Sequence, residues 1–244
     1  RYLGIKHELN RELGTLGVPV WTIASSKLRR YSSFLNLLDF FKFFWGIFQA
    51  LAKLYIIMPD LVFSKGGPGA LPVVLASWFY RIPVYIHESD TIPGLSNRIG
   101  GAFASQIFVS FPRTSFFPAK KMVRVGNPIR KEILVGSRQE AQQLLHLRGD
   151  KPVILFMGGS QGAQRINEML LVVLDDMLKD FEIIHQAGDK NFSQASQEAK
   201  VVVSKEHSPY YHAVPFFKEQ ELRHVYAATD FIVSRAGSGS IFEI

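Results

Sequence analysis

Short apolar runs alternate with longer segments of helical period along almost the whole chain, and few architectures accept that rhythm. Residues 18–23, 61–63, 83–87, 106–110 and 122–125 read as strands, and residues 34–58, 71–80 and 97–103 between them read as helices. After a polar stretch at 131–151 the pattern restarts, with strands at 153–156, 182–186, 213–215 and 231–234 and helices at 164–178 and 220–228. Residues 188–208 show neither period and read as mobile. Strand, helix, strand repeats of this kind predict an α/β fold, with mostly parallel sheets covered by helices on both faces. The restart predicts two Rossmann-like domains, 1–133 and 151–244, joined by a linker at 134–150.

Composition narrows the function classes. The 244 residues carry 28 Lys and Arg against 21 Asp and Glu, a formal net charge of +7. With 47% hydrophobic and 20% charged residues, a disordered or collagen-like chain is excluded. There is no cysteine, which removes disulfides, thiol catalysis and Cys-ligated zinc, and fits a reducing compartment. The positive charge fits an anionic lipid surface, a phosphorylated substrate or nucleic acid equally well. The chain opens on Arg1 and closes on Ile241-Phe242-Glu243-Ile244, which reads as the opening of a helix, so we expect a segment of a longer protein.

The segment 34–58 is rich in Phe, Leu and Ile and long enough to cross a bilayer. It carries Asn36, Asp39, Lys42, Gly46, Gln49 and Lys53 at helical spacing, and a spanning helix rarely bears two Lys and an Asp on one stripe. Two readings stay open. The helix is buried against a sheet over most of its circumference, or part of its apolar face lies on a membrane surface, with Lys27, Arg29 and Arg30 just before it to favour anionic lipid.

Several turns can carry chemistry. Val153-Ile154-Leu155-Phe156-Met157-Gly158-Gly159-Ser160-Gln161-Gly162-Ala163 runs from a strand through a Gly-rich turn into a helix. Free amides at such a turn favour an anion such as a diphosphate, although the spacing is neither a Walker loop nor the dinucleotide motif. A second small-residue turn, Ser234-Arg235-Ala236-Gly237-Ser238-Gly239-Ser240, precedes Glu243, whose carboxylate can accept hydrogen bonds from sugar hydroxyls. His87-Glu88-Ser89-Asp90 follows a strand, at the edge where α/β folds place ligands, and His87, Glu88 and Asp90 are weak candidates for proton exchange. Gly126-Asn127-Pro128-Ile129-Arg130 sets a turn before an Arg that can clamp a phosphate. No Asp-x-Asp pair and no His spacing points to a metal.

In order, Ser64-Lys65-Gly66-Gly67-Pro68-Gly69, His87-Glu88, Pro93-Gly94-Leu95-Ser96-Asn97-Arg98, Gly126-Asn127-Pro128-Ile129-Arg130, Gly158-Gly159-Ser160-Gln161-Gly162-Ala163 and Ser234-Arg235-Ala236-Gly237 resemble the MurG family. Its members are bacterial UDP-N-acetylglucosamine:undecaprenyl-pyrophosphoryl-MurNAc-pentapeptide N-acetylglucosamine transferases, and the resemblance covers essentially the whole chain. It implies a GT-B fold, with the donor UDP-GlcNAc bound in the cleft mainly by the C-terminal domain. Ser160 and Gln161 inherit the diphosphate region, Arg130 a further donor contact, Phe216-Phe217 the backbone reading of uracil, and Glu243 the ribose hydroxyls. Asp90 stands where the family usually has an Asn that contacts the donor sugar.

The resemblance further implies a peripheral protein on the cytoplasmic face of the bacterial plasma membrane. There Lys27, Arg29, Arg30, Phe41, Phe44, Trp45 and Trp78 meet anionic lipid. Its partners would be UDP-GlcNAc and the lipid-linked acceptor, with no nucleic acid, no cofactor and no metal. The family's N-terminal Gly-rich loop, with its His considered for general-base work, is expected before Arg1, and a donor-binding Gln after Ile244. The segment alone is therefore expected to be inactive. Two other readings remain: another GT-B transferase with a lipid acceptor, or a non-catalytic membrane-docking half that recruits a partner.

Overall fold

A computed structural model describes residues 1–4, 13–25, 35–111, 115–158 and 164–244, with the side chains of 35–38 left aside. The chain forms two compact units, residues 1–127 and 128–244. Every strand pair in both is parallel. Parallel neighbours cannot be joined by a tight hairpin, so each connection crosses over a sheet face, mostly as a helix.

In the first unit β1 (Tyr2–Gly4) pairs with β2 (Val20–Thr22). The helix α1 (Leu35–Ile57) leads to a four-stranded sheet of β3 (Val62–Ser64), β4 (Val84–Glu88), β5 (Gln106–Val109) and β6 (Met122–Arg124), in that spatial order. Helices α2 (Ala70–Phe79) and α3 (Leu95–Phe103) are the crossovers around β4. The helix α2 is buried on two sides. Val74 packs with Val84, Ile86, Ile107 and Phe117 under the sheet, while Val73 and Ala76 pack with Ile23, Ala50 and Leu54 toward α1.

The C-terminal part of the polar stripe of α1, Gly46, Gln49 and Lys53, faces inward, while Lys42 is exposed. Gln49 accepts the Ala24 amide N–H through Oε1 at 2.6 Å, and the Lys53 ammonium donates to the Thr22 carbonyl. Gly46 lies against the Ala24 carbonyl, where a Cβ would sit 2.2 Å from the oxygen. These groups satisfy the backbone just past β2, whose own polar atoms would otherwise be costly to bury. The opposite face is left outside. Phe41 is 64% and Trp45 61% exposed, and Phe40, Phe44, Phe48, Tyr55 and Ile56 are exposed with them. Only 17% of the apolar window Asp39–Ile57 is buried, so α1 is not a helix enclosed on most of its circumference.

In the second unit the sheet order is β10 (Phe231–Ser234), β7 (Val153–Met157), β8 (Glu182–Gln186), β9 (Tyr211–Val214). All residues of β7 and β8 are buried, β7 as the continuous apolar run of a central parallel strand and β8 with Glu182, His185 and Gln186 hydrogen-bonded in place. Alternate β7 residues serve opposite faces. Val153, Leu155 and Met157 pack with Ile133, Phe217, Leu222 and Val225, whereas Ile154 and Phe156 pack with Leu170, Leu174 and Ala199. These partners come from the 3-10 turn Lys131–Leu134 and from α7 (Glu219–Ala228) with its preceding loop on one side, and from α5 (Gln164–Met177) and α6 (Phe192–Val202) on the other.

Two segments depart from the sequence reading. The stretch expected as a linker at 134–150 belongs to the second unit and contains α4 (Arg138–Leu145), packed on α7 and capped by Ser137, whose Oγ accepts the Glu140 N–H at 3.3 Å. The stretch 188–208, expected as mobile, holds α6. Both helices present little more than alanine to the core, Ala141 in α4 and Ala195 and Ala199 in α6, so their apolar period is faint.

Gly46→Ala is expected to destabilise the first unit by about 1–3 kcal/mol, because the backbone carbonyl of Ala24 must move to admit the methyl. A lowered urea midpoint with an unchanged slope checks this.

Candidate functional site

In the first unit the singled-out motifs meet at the C-terminal edge of the sheet and bind one another. Glu88, buried at the end of β4, accepts the Asp90 amide through Oε1 at 3.0 Å and the Asn97 Nδ2–H through Oε2 at 2.9 Å. His87 is buried too, and its Nε2 lies 3.0 Å from the Gly126 carbonyl, which also accepts the Ser110 hydroxyl at 3.1 Å. Since a carbonyl only accepts, Nε2 carries the proton. The Ser64–Gly69 loop wraps over Asn97 through Gly66, at φ +85°, where any Cβ would fall 2.7 Å from the Asn97 side chain. His87 and Glu88, weak candidates for proton exchange, are thus held as internal ties between loops. Asp90, the third, is exposed.

In the second unit the chain runs from β7 outward to β8 and β9, then returns to place β10 on the other side of β7. Such a reversal opens a crevice at the carboxyl ends of the two strands on either side of it, β7 and β10, here Met157 beside Ser234. Arg130 sits in this unit and joins groups far apart in sequence. Its Nε and Nη2 donate to the two Glu243 carboxylate oxygens at 2.8 Å each, and its Nη1 donates to Glu219 at 2.8 Å. Those hydrogen bonds, Glu243 first, raise the Arg130 pKa above its ordinary range against the opposing effect of burial. Glu243 lies on α8 (Ser238–Glu243) and Glu219 in the first turn of α7. Beside them Tyr226 reaches Met157 Sδ at 3.6 Å, and burial, then the Glu243 charge, pushes its hydroxyl pKa up.

The sequence-predicted donor residues divide into three groups. Arg130 and Glu243 are brought together. Phe217 is placed otherwise: its ring is in the core and its N–H donates to Gln186 Oε1 at 3.2 Å, while the neighbouring Phe216 is half-exposed. Ser160 and Gln161 lie outside the described residues, as do Lys27, Arg29 and Arg30. Among the described residues no three His, Asp or Glu side chains gather as a metal site.

Sequence reasoning missed Glu219 and a buried chain of hydrogen bonds around His185. The Tyr211 hydroxyl lies 2.7 Å from His185 Nδ1, His185 Nε2 3.0 Å from Asn167 Oδ1, and Asn167 Nδ2 3.0 Å from the Ala187 carbonyl. One neutral tautomer satisfies all of it: Tyr211 donates to Nδ1, Nε2–H to Asn167, and the amide to Ala187. The chain ties α5 to the end of β8. Its signal was His185 and Gln186 following the apolar pair Ile183-Ile184 in a strand.

With that geometry in place, two family models match in sequence order. They are the glycosyltransferase family 28 N-terminal domain over residues 1–109 and the C-terminal domain over residues 153–244. A Bacillus cereus protein named UDP-N-acetylglucosamine--N-acetylmuramyl-(pentapeptide) pyrophosphoryl-undecaprenol N-acetylglucosamine transferase 2 is 41% identical over 228 residues, 93% of this chain and 62% of that protein. The chain belongs to the MurG family, within glycosyltransferase family 28. A transferase of the same name, without the number, from Lachnospira eligens is 40% identical over all of this chain and 65% of its own length. The crystal structure of Acinetobacter baumannii MurG superposes with a TM-score of 0.69 at 25% identity, covering 97% of this chain and 62% of that one. The chain therefore spans less than two thirds of the length of these MurG relatives, and carries the two Rossmann-like domains of their fold.

Burial pushes the His185 pKa from 6.5 down to about 4. A base with a depressed folded-state pKa contributes fully above its unfolded value, and that contribution is lost as pH falls between the two. From pH 6.5 to 4 stability should drop by about 3 kcal/mol from this group. Urea midpoints of wild type and His185→Gln measured across that window should converge toward low pH.

Proposed function

We propose that the protein transfers GlcNAc from UDP-GlcNAc to the 4-hydroxyl of undecaprenyl-pyrophosphoryl-MurNAc-pentapeptide, converting lipid I to lipid II in peptidoglycan synthesis. The reading rests on one observation above the others. The arginine of Gly-Asn-Pro-Ile-Arg and the glutamate after the second small-residue turn, 113 positions apart, pair in a fork at the β7–β10 crevice. The names of the MurG relatives supply the substrates.

The transfer inverts the anomeric centre. The acceptor hydroxyl oxygen forms its bond to C1 of GlcNAc as the bond from C1 to the diphosphate oxygen breaks, the hydroxyl proton leaves to a base, and the electron pair departs with UDP. The transition state is oxocarbenium-like, so the chemistry asks for a cation near the departing diphosphate more than for a strong nucleophile. Arg130 supplies that cation, with the amides of the Ser160-Gln161 turn, and in this reading no resident cofactor or metal is used. Glu243 accepts ribose hydroxyls, and the backbone at 216–217 reads the uracil. Asp90, exposed past β4, is the first unit's candidate contact to the donor sugar. No base is assigned, because His87 and Glu88 are engaged within the fold.

The exposed face of α1 supports peripheral binding to the cytoplasmic face of the plasma membrane. Phe41, Phe44 and Trp45 lie outward along it, and Trp78, 57% exposed, stands at the end of α2, which packs on α1. A contiguous row of exposed aromatic side chains on one helix is unusual on a monomer surface, and interfacial burial relieves it.

Arg130→Ala in the full-length enzyme, assayed with UDP-GlcNAc and a soluble lipid I analogue, is expected to lose at least about 100-fold in turnover. Unchanged turnover and donor affinity would remove Arg130 from the mechanism. Replacing Phe41, Phe44 and Trp45 together by Ser is expected to lower partitioning onto phosphatidylglycerol vesicles at least about tenfold, with donor affinity preserved. Equal partitioning would place the lipid contact elsewhere.

A further inference from the structure

Arg130 holds more carboxylate than one cation neutralises. Glu243 occupies the Nε and Nη2 edge, Glu219 occupies Nη1, and with both acids ionised the cluster carries a formal charge of −1. A diphosphate brought to this guanidinium meets a net negative group unless one carboxylate leaves.

The two are not equally easy to remove. Glu243 is held by two parallel charge-assisted bonds, and its side chain is 15% exposed. Glu219 makes a single bond to Arg130, and its side chain is 60% exposed. A one-bond pair in water is worth little, so Glu219 is the partner that gives way. It also has somewhere to go. Its position in the first turn of α7 keeps a carboxylate favourable near the helix amino end without Arg130. The cap of that helix does not depend on it, because Glu221 Oε2 accepts the Lys218 N–H at 2.8 Å.

We propose that Glu219 is an internal competitor for the donor: it holds Arg130 Nη1 in the ligand-free protein and yields that position to the diphosphate, while the Glu243 fork stays closed. The inference rests on the reading of Arg130 as a donor-diphosphate contact. It gives Glu219 a part in setting nucleotide affinity without contact to the reacting carbon. It also places the competition on the phosphates alone, so the nucleoside half of the donor is indifferent to it.

The test is calorimetric titration of the full-length protein with UDP and with uridine, for wild type, Glu219→Gln, Arg130→Ala and the double variant. Glu219→Gln should tighten UDP about two- to fivefold, the range of an exposed ion pair, and leave uridine unchanged. The gain should shrink as salt is raised and vanish in the Arg130→Ala background. If Glu219→Gln leaves UDP affinity unchanged or weaker, or tightens uridine equally, while Arg130→Ala still weakens UDP, the competitor role is overturned and the donor reading stands. If Arg130→Ala leaves UDP affinity unchanged, or wild type binds no UDP, the donor reading fails and takes this inference with it.

Discussion

Parallel pairing is the constraint from which the rest of this structure follows. A parallel neighbour must be reached by a crossover, crossovers lie on the sheet faces, and a sheet covered on both faces needs central strands that are apolar throughout. β7 meets that demand with five apolar residues, and β8 buries Glu182, His185 and Gln186 only with a hydrogen-bond partner for each. The same geometry sends all carboxyl ends of a sheet to one edge, where the loops can gather polar groups without burying them in the core. In each unit the motifs singled out from the sequence collect at that edge: Ser64–Gly69, Glu88, Asn97 and Gly126 in the first, Arg130 and Glu243 in the second, where Glu219 joins them.

The two edges use their polar residues differently. In the first unit the side chains mostly bond to one another and to backbone, so the loops are fixed by their own hydrogen bonds. In the second, a guanidinium and two carboxylates stand at the crevice in a net negative group that is partly open to water. A fully paired, buried network confers rigidity. A partly exposed ionic one can exchange partners at low cost, which a site for a charged nucleotide requires.

Helix α1 inverts the ordinary arrangement for a related reason. The backbone leaving β2 needs donors and acceptors, and Gln49 and Lys53 supply them from the helix side, so that part of the polar stripe is drawn inward and the aromatic residues are displaced outward. The stripe was plain in the sequence, but its direction was not, because periodicity reports that two faces differ and not which one meets the core.

Much of the fold was legible from local signals. A continuous apolar run marked β7, and the glycine-rich turns marked where strands give way to helices, because these depend on backbone conformation and on burial that a short stretch of chain specifies by itself. The family was legible as well, since several motifs kept their order and spacing. Helices α4 and α6 were not, because a helix that buries only alanines owes its place to the partner it packs on. Nor were the roles of His87, Glu88 and Phe217, whose residue types suit chemistry and whose positions suit packing. The pairing of Arg130 with Glu243 and Glu219 was beyond the sequence altogether. A hydrogen bond acts over about 3 Å, and only the return of β10 to the side of β7 brings residues 113 positions apart within that reach.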